Sequence, residues 1–322
     1  MIKTLKVENF KSIESHELKL ARINVFIGEP GTGKSNILEA IGLLSLAYYA
    51  REPKLFVRHE HPVDLFHQQR AENPIKVEFD DTHITAHMVG DRVEISYSDG
   101  DQGDLGTIFT LYSGDSFTSR RRVDRLAAFK LYRFTPKTTF TSRGESLLPP
   151  DGDNLIDALR LNPALRSIAQ NLLTTLGLKL VQRPYERKVE AMKELPDGSI
   201  VSLPLTLISD TLARMIFNYA AIYTNKGAVI ALEEPEAHAF PYHTKVLAES
   251  IALHKDNQYL ISTHNPYFLS SIVEKAKREE IAVHVTYMEE GKTRVKTIPP
   301  EKLDDILDLG PDVFLNLSQL TS

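Results

Sequence analysis

The sequence of 322 residues lacks cysteine altogether. This absence excludes disulfide bonds, thiolate metal sites and thiol nucleophiles. The sequence also lacks any apolar run near the roughly 20 residues that a membrane-spanning helix needs, and its first residues have no signal-peptide core. We therefore expect a cytoplasmic protein without a membrane segment.

The chain has no excess of positive charge, because 38 Lys and Arg are outnumbered by 43 Asp and Glu and the net charge is −5. This balance excludes a general affinity of the whole surface for nucleic acids or membranes, although a local basic patch remains open. The 11 histidines are scattered without metal-ligand spacing, so we expect no zinc site. Hydrophobic residues make up 42% and charged residues 25%, which is ordinary for a globular protein.

The hydrophobic pattern predicts an α/β protein. Residues 23–27 form an apolar run typical of a buried strand, and residues 36–49 have the spacing of an amphipathic helix. Beyond residue 228, apolar strands alternate with helical segments, which favours a mostly parallel central sheet flanked by helices. Residues 75–97 alternate with a period of two instead and predict short antiparallel strands.

We interpret residues 1–322 as a single domain, because motifs that must meet in one site lie near both of its ends. Residues 1–50 and 200–300 are predicted to form a nucleotide-binding core. Residues 51–150 would be an inserted antiparallel β region, and residues 151–199 a helical insertion with strands.

A glycine-rich turn matches the phosphate-binding pattern GxxxxGK[ST] in full. We call this segment the phosphate loop; its residues are Gly28, Glu29, Pro30, Gly31, Thr32, Gly33, Lys34 and Ser35, and Asn36 follows in the predicted helix. The glycines let successive N–H groups turn toward phosphate oxygens, and the helix N-terminus adds its positive dipole. Lys34 is suited to the β- and γ-phosphates of ATP, and the Ser35 hydroxyl to Mg²⁺.

Two adjacent carboxylates, Glu233 and Glu234, follow a predicted buried strand at residues 228–232. Ligands of open parallel sheets collect at the carboxyl ends of the strands. We predict that Glu233 holds Mg²⁺ and that Glu234 polarises the water that attacks the γ-phosphate. A solvated acidic turn is the alternative explanation for this pair.

His264 ends the next predicted strand in the same way, after residues 259–262 and before a helix that starts at Pro266. An imidazole at this position could contact the γ-phosphate or the attacking water. A lone histidine is also common as a structural residue, and that alternative stays open.

Taken together, these motifs resemble the ABC-class ATPases of the SMC, RecF and OLD type and their stand-alone AAA-labelled relatives. The similar segments are LKVENFKSI, INVFIGEPGTGKSNILEAI, LEEPEAH and ISTHNPYFL. The resemblance implies that Glu233 and Glu234 are the Walker B pair, that His264 is the switch histidine and that residues 235–238 are the D-loop. It also implies an ATP-dependent homodimer, in which Ser209, Asp210 and Thr211 of one copy bind the nucleotide held by the other. Lys11 and Ser12 match residues that approach the nucleotide in relatives, and a surface turn is the alternative.

This sequence departs from the family pattern in three places. The signature around Ser209 lacks its glycine, Phe240 stands where relatives often carry histidine, and no glutamine is assigned to the Q-loop because Gln68 and Gln69 come too early in the chain. A simple helix N-cap is the alternative role of Ser209. A nucleotide-gated binding or scaffold module with little turnover is therefore a second hypothesis beside an ATP hydrolase.

The segment from Arg120 to Arg143 is locally basic and contains aromatic residues, so it could contact nucleic-acid phosphates and bases. A solvated face, or a strand with a core-facing side, is the alternative. A GTPase is not expected, because the guanine-specifying NKxD motif is absent. A small-molecule kinase is disfavoured as well, because it would not need the two adjacent glutamates and the later Thr-His pair. No nuclease domain of the OLD type is expected, so a separate effector protein could be recruited.

Overall fold

The computed structural model describes residues 1–101 and 103–321. In chain order the strands are β1 (Thr4–Phe10), β2 (Ile13–Lys19), β3 (Ile23–Gly28), β4 (Ile75–Phe79), β5 (Thr82–Val89), β6 (Arg92–Asp99), β7 (Gly103–Leu111), β8 (Phe117–Ser119), β9 (Phe129–Tyr132), β10 (Lys179–Arg183), β11 (Lys188–Glu194), β12 (Ile200–Pro204), β13 (Val229–Glu233), β14 (Gln258–Ser262), β15 (Ile281–Glu289) and β16 (Lys292–Thr297). The α-helices are α1 (Lys34–Tyr49), α2 (Pro53–Phe56), α3 (Leu155–Leu161), α4 (Pro163–Thr174), α5 (Leu205–Ile208), α6 (Asp210–Tyr223), α7 (Pro241–Leu253), α8 (Pro266–Lys275), α9 (Leu303–Leu309) and α10 (Leu317–Thr321).

The central sheet has the strand order β16-β15-β3-β14-β13-β9. All neighbouring pairs from β15 to β9 are parallel, and only β16 runs antiparallel, as the return strand of a hairpin with β15. The predicted parallel core is therefore confirmed. Because parallel strands end at the same edge, the residues that follow β3, β13 and β14 come together in space.

Strand β9 was not predicted from the sequence, because it lies inside the locally basic segment. It pairs in parallel with β13, with Val229 opposite Phe129 and Leu232 opposite Tyr132. All four of its residues are buried. The central sheet therefore takes one strand from the interval 51–150. This interval is thus not an antiparallel region throughout, although the sequence predicts one.

A second, antiparallel sheet has the order β2-β1-β4-β5-β6-β7-β8. Strand β1 pairs with both β2 and β4, so the N-terminal hairpin and the strands after residue 74 share one sheet. The predicted antiparallel strands are present, but they extend a sheet that the N-terminus begins. A third small sheet has the order β10-β11-β12.

Helix α1 lies between the central sheet and the antiparallel sheet. Its apolar side chains pack in one cluster with Phe26, Ala231 and Leu260 of the central sheet and with the inner face of the antiparallel sheet. The opposite face of the central sheet, which includes Val25 and Ile230, packs with helices α3, α4, α6, α7 and α8. This double burial follows from the near-continuous apolar strands, which is typical of parallel sheets covered on both faces. None of the helices in the described ranges is long and apolar enough to cross a bilayer.

Candidate nucleotide-binding site

The phosphate loop connects β3 to α1 and depends on glycine at its last turn. Gly33 has a φ of 93°, a left-handed conformation that glycine adopts without strain. A Cβ on Gly33 would lie 2.0 Å from Thr293 Oγ1 and 2.9 Å from Ser12 Oγ, so the space is closed as well. Gly31 also has a positive φ, of 79°, but an added Cβ would meet nothing within 4 Å. The loop therefore needs glycine at Gly33 for two separate reasons.

Lys34 folds back over the loop that precedes it. Its Nζ donates hydrogen bonds to the carbonyl oxygens of Gly28 and Glu29, each at 2.8 Å. Burial lowers the pKa of Lys34 to about 8, although the carboxylates of Glu234 and Glu233 act in the opposite direction. The ammonium is thus held where the loop turns, in a position to exchange carbonyl oxygens for phosphate oxygens.

The two glutamates stand at the carboxyl end of β13, opposite the end of β14. Glu233 is paired in register with Ser262, and the main-chain N–H of Glu234 donates to Ser262 O at 3.0 Å. Glu234 has a φ of 42°, a left-handed conformation that is uncommon for a residue with a side chain. His264 Nε2 lies 3.7 Å from Glu234 Oε1.

One open cleft of about 370 Å³ collects most of the predicted residues, which is large enough for part of a nucleotide. The predicted residues that line it are Pro30, Gly31, Gly33, Lys34, Ser35, Asn36, Glu233, Glu234 and His264. Arg58 and Ser262 line it as well. Segments that are distant in the chain therefore contribute to a single cavity.

The oxygen atoms in this cleft suit a hard divalent cation. Ser35 supplies a hydroxyl, and Glu233 and Glu234 supply carboxylates. Ser262 Oγ is buried and has no hydrogen-bond partner among the described residues, which is unusual for a hydroxyl unless a ligand completes its contacts. The donor set therefore fits Mg²⁺ as predicted from the sequence.

Sequence reasoning missed a buried ionic cluster behind the cleft. Glu39, on α1, is fully buried and pairs with three cations: Lys11, Arg58 and Arg133. Burial would raise the pKa of Glu39, but these cations together lower it below its usual value. Arg58 and Arg133 also reach Glu233, at 3.6 Å and 3.2 Å. The signal in the sequence was Glu39, a charged residue one turn after Ser35 in an otherwise apolar helix. Its burial requires a cationic partner, and the sequence did not identify that partner.

Seven of the predicted site residues do not line the cleft in this single chain: Lys11, Ser209, Asp210, Thr211 and three residues of the phosphate loop that are described below. Lys11 directs its ammonium to Glu39 and to Arg58 O, and burial lowers its pKa. Ser209 caps α6, because its Oγ accepts from Leu212 N at 3.2 Å. Asp210 pairs with Arg214 of the same helix, and Thr211 Oγ1 donates to His238 O at 2.9 Å. The N-cap role that was the alternative for Ser209 is present.

The other three residues of the phosphate loop, Gly28, Glu29 and Thr32, do not line this cleft, and Glu29 and Thr32 line a separate cavity beside β15. Thr32 Oγ1 donates to Glu29 O at 2.8 Å and contacts Thr286 Oγ1 at 2.7 Å, which ties the loop to β15. A Cβ on Gly28 would lie 2.3 Å from Thr286 O, so the backbones pack without room for a side chain.

A further carboxyl group, that of Glu236, lies two residues after Glu234 in the loop that follows β13. Glu236 is buried and bonds to the Thr263 hydroxyl, and Thr263 Oγ1 in turn accepts from Asn265 N at 2.9 Å. Burial raises the pKa of Glu236 to about 7. This chain of hydrogen bonds connects the loop after β13 to the loop that carries His264.

The segment from Arg120 to Arg143 does not form one basic face, because several of its cations and aromatic residues are buried or paired. Lys130 is buried and bonds to Asn225, while Arg133 and Lys137 are held in ion pairs with buried carboxylates. The aromatic residues Phe129, Tyr132 and Phe140 are buried in the core. A strand with a core-facing side, the alternative, explains most of the segment. Of the cations in this segment, those that are exposed are Arg120, Arg121, Arg122, Arg125 and Arg143.

Comparison with known proteins agrees with this geometry. Residues 1–133 match the family model described as an AAA ATPase domain. No curated protein sequence matches the chain. The solved structure of an SMC head bound to the C-winged helix domain of ScpA superposes with a TM-score of 0.52 at 16% identity, covering 94% of this chain and 99% of that chain. An SMC head with an extended coiled coil, bound to the C-terminal domain of ScpA derived from Pyrococcus furiosus, gives 0.50 at 13% identity, with coverage of 95% and 98%.

At these identities, the solved structures show a shared fold. The resemblance that the motifs indicate is confirmed at the level of the fold, which this chain shares with SMC heads, and residues 1–133 match an AAA ATPase domain.

Proposed function

We propose that this chain binds ATP with Mg²⁺ and hydrolyses it to ADP and phosphate. The observation that carries the proposal is that Lys34 of the phosphate loop and Glu234 beyond β13 line the same cleft. The loop amides and Lys34 would bind the phosphates, and Ser35 and Glu233 would hold the metal. Glu234 would accept a proton from the attacking water.

The cation would neutralise charge that develops on the phosphate oxygens. His264 would act as a neutral hydrogen-bonding group, because burial and the charge of Lys34 lower its pKa. Its distance of 3.7 Å from Glu234 leaves both side chains free to contact water or phosphate.

We further propose that two copies close around ATP. The N-terminus of α6 lies outside the chain's own cleft and carries Ser209, Asp210 and Thr211. Because α6 is a helix of 14 residues, its N-terminus can bind an anion held by a second molecule. Thr211 donates a hydrogen bond to His238 O, in the loop after Glu234. A nucleotide bound to Ser209, Asp210 and Thr211 would therefore also affect that loop. A separate effector could read the closed state, as the solved SMC head binds a domain of ScpA.

Hydrolysis can be tested on the purified chain with Mg²⁺ and ATP. Lys34→Ala should abolish nucleotide binding and turnover, because the site loses its only loop-borne cation. Lys292→Ala is the matched control, since Lys292 pairs with Glu14 on the surface. The proposal is refuted when the unaltered chain neither binds ATP nor hydrolyses it above background.

A nucleotide-gated binding module with little turnover is the second candidate. The absence of the signature glycine favours it, because Ser209 Oγ is already engaged by Leu212 N and closer approach of a phosphate would need backbone freedom. Comparison of ATPase rates with and without candidate partners separates the two. A low rate that no partner changes, together with tight ATP binding, would favour the module.

DNA is one such partner, through the exposed Arg120, Arg121 and Arg122. Replacement of all three by Ala should weaken DNA binding and reduce its salt dependence. Unchanged binding by this variant would remove these residues from any DNA contact.

A further inference from the structure

We propose that Arg133 sets the affinity of the site for its divalent cation, because its guanidinium pairs with Glu233 in competition with the metal. The inference rests on the proposed Mg²⁺–ATP function and adds a residue to it. Arg133 would thus be a positioning residue that occupies Glu233 until the metal arrives.

The fold places Arg133 at the metal site through sheet register. Tyr132, the last residue of β9, lies opposite Leu232 of β13. The next residues of these parallel strands, Arg133 and Glu233, therefore emerge side by side at the same edge. No other described strand neighbours β13 on this side, since β9 is the edge strand of the sheet.

Four hydrogen bonds restrain Arg133 in this position. Its main-chain N–H donates to Pro150 O at 2.8 Å, and Nη1 donates to Leu55 O at 3.0 Å. Nη2 is shared between Glu39 Oε1 at 3.1 Å and Glu233 Oε2 at 3.2 Å. One nitrogen thus bridges the buried carboxylate and the predicted metal ligand.

The other oxygen of Glu233 also faces a guanidinium, because Arg58 Nη2 lies 3.6 Å from Oε1. Arg58 is the weaker competitor, since 55% of its side chain is exposed compared with 21% for Arg133. Arg58 Nε donates to Glu39 Oε1 at 2.6 Å, which anchors this guanidinium on Glu39, and its Nη2 lies farther from Glu233 than Arg133 Nη2 does. The guanidinium of Arg133 is held by Leu55 O and lies closer to the carboxylate.

Competition follows from the chemistry of the carboxylate. A divalent cation needs the oxygen lone pairs that now accept from Arg133, and two positive charges a few ångströms apart repel each other. Glu39 makes the exchange feasible, because it keeps Arg133 paired after Glu233 turns toward the metal. The guanidinium therefore need not be left as an unpaired buried charge.

If Arg133 had a different role, its removal would change the metal affinity in the opposite direction. If Arg133 only orients Glu233 for the metal, its removal weakens metal binding. If Arg133 competes, its removal strengthens it. Equilibrium binding of ADP distinguishes these roles without any catalytic turnover.

The experiment measures the dissociation constant of ADP by calorimetry with Mg²⁺ and with EDTA, and takes the ratio of the EDTA value to the Mg²⁺ value. Direct effects on ADP cancel in this ratio. Arg133→Gln should raise the ratio about tenfold above that of the unaltered chain. Arg133→Lys keeps the charge but cannot bridge two carboxylates in the same way, so its ratio should lie between those of the unaltered chain and of Arg133→Gln. The Lys variant also tests the proposal when the Gln variant does not fold.

Arg51→Gln is the matched control, because Arg51 has similar exposure and pairs with Asp153 away from Glu233. Its ratio should equal that of the unaltered chain. A ratio for both Arg133 variants that is equal to or lower than the unaltered value overturns the proposal. A chain that binds no ADP in either condition instead contradicts the proposed function, so the two failures are distinguishable.

Discussion

His264 Nε2 lies 3.7 Å from Glu234 Oε1, across the gap between two neighbouring parallel strands. The separation is too long for a hydrogen bond. Burial and the charge of Lys34 lower the pKa of His264, which disfavours an ion pair between the two groups. Both groups are therefore directed into the cleft with hydrogen-bonding capacity still available for substrate.

Replacement of Glu234 by Gln should separate binding from hydrolysis. The amide keeps the shape of the side chain but cannot accept a proton, so turnover should fall by roughly 10²–10⁴-fold while ATP affinity changes little. With ATP and Mg²⁺ the variant should accumulate as a dimer in gel filtration. Glu274→Gln, at an exposed position of α8, is the control. Normal turnover in Glu234→Gln removes Glu234 from catalysis.

Nucleotide affinity should decrease as the pH rises through about 8. Burial lowers the pKa of Lys34 to about 8 in the free protein. Bound phosphates favour the charged ammonium, so binding above this pH takes up a proton, and affinity should fall by up to about tenfold per pH unit. Calorimetry in buffers of different ionisation enthalpy should show almost no proton uptake at pH 7 and close to one proton at pH 9. No uptake at pH 9 contradicts the prediction.

The two glycines of the phosphate loop should differ in their tolerance of alanine. Gly31→Ala introduces only backbone strain, of about 1–2 kcal/mol. Gly33→Ala adds a collision with Thr293 Oγ1 at 2.0 Å, and should lose more stability and most nucleotide affinity. Denaturant unfolding and ADP titration measure both effects. Addition of Thr293→Ala to Gly33→Ala should restore part of the stability; equal losses in the two single variants would exclude the steric explanation.

Glu236 should make the protein less stable as the pH rises from about 5 to 7. Burial raises the pKa of Glu236 from its ordinary value of 4.5 to about 7, so the folded state binds the proton more tightly than the unfolded state. Its contribution is fully present below the unfolded pKa and is lost as the pH rises through the folded pKa. Glu236→Gln lacks this titration and should gain about 2 kcal/mol relative to the unaltered chain between pH 5.5 and 8.

Urea unfolding at several pH values measures this difference directly. Glu274→Gln should follow the unaltered chain at every pH. Parallel curves for Glu236→Gln and the unaltered chain would show that Glu236 does not titrate in this range.

Much of the fold was predictable because its signals are local. The turn at Gly33, the strand before Glu233 and the strand before His264 each occupy a few consecutive residues whose apolar pattern and turn chemistry specify the structure. Their convergence was predictable because parallel strands end at one edge. The same pattern failed at β9, because its buried Lys130 made the strand look like part of a basic surface.

The ionic cluster was beyond sequence reasoning for a physical reason. Glu39, Arg58 and Arg133 come from different elements, and a charged residue in the sequence does not reveal which opposite charge it meets. The same argument applies to the segment from Arg120 to Arg143, where tertiary pairing decided which cations stay exposed.

The sequence by itself determined the parallel core and a phosphate loop followed later by two acids and a histidine, since short-range hydrogen bonding and apolar spacing specify these elements. Only the tertiary structure decided that β9 borders β13 and that Arg133 therefore stands beside Glu233. Sheet neighbours are selected by packing of the whole core, and the pairing of buried charges follows from that packing.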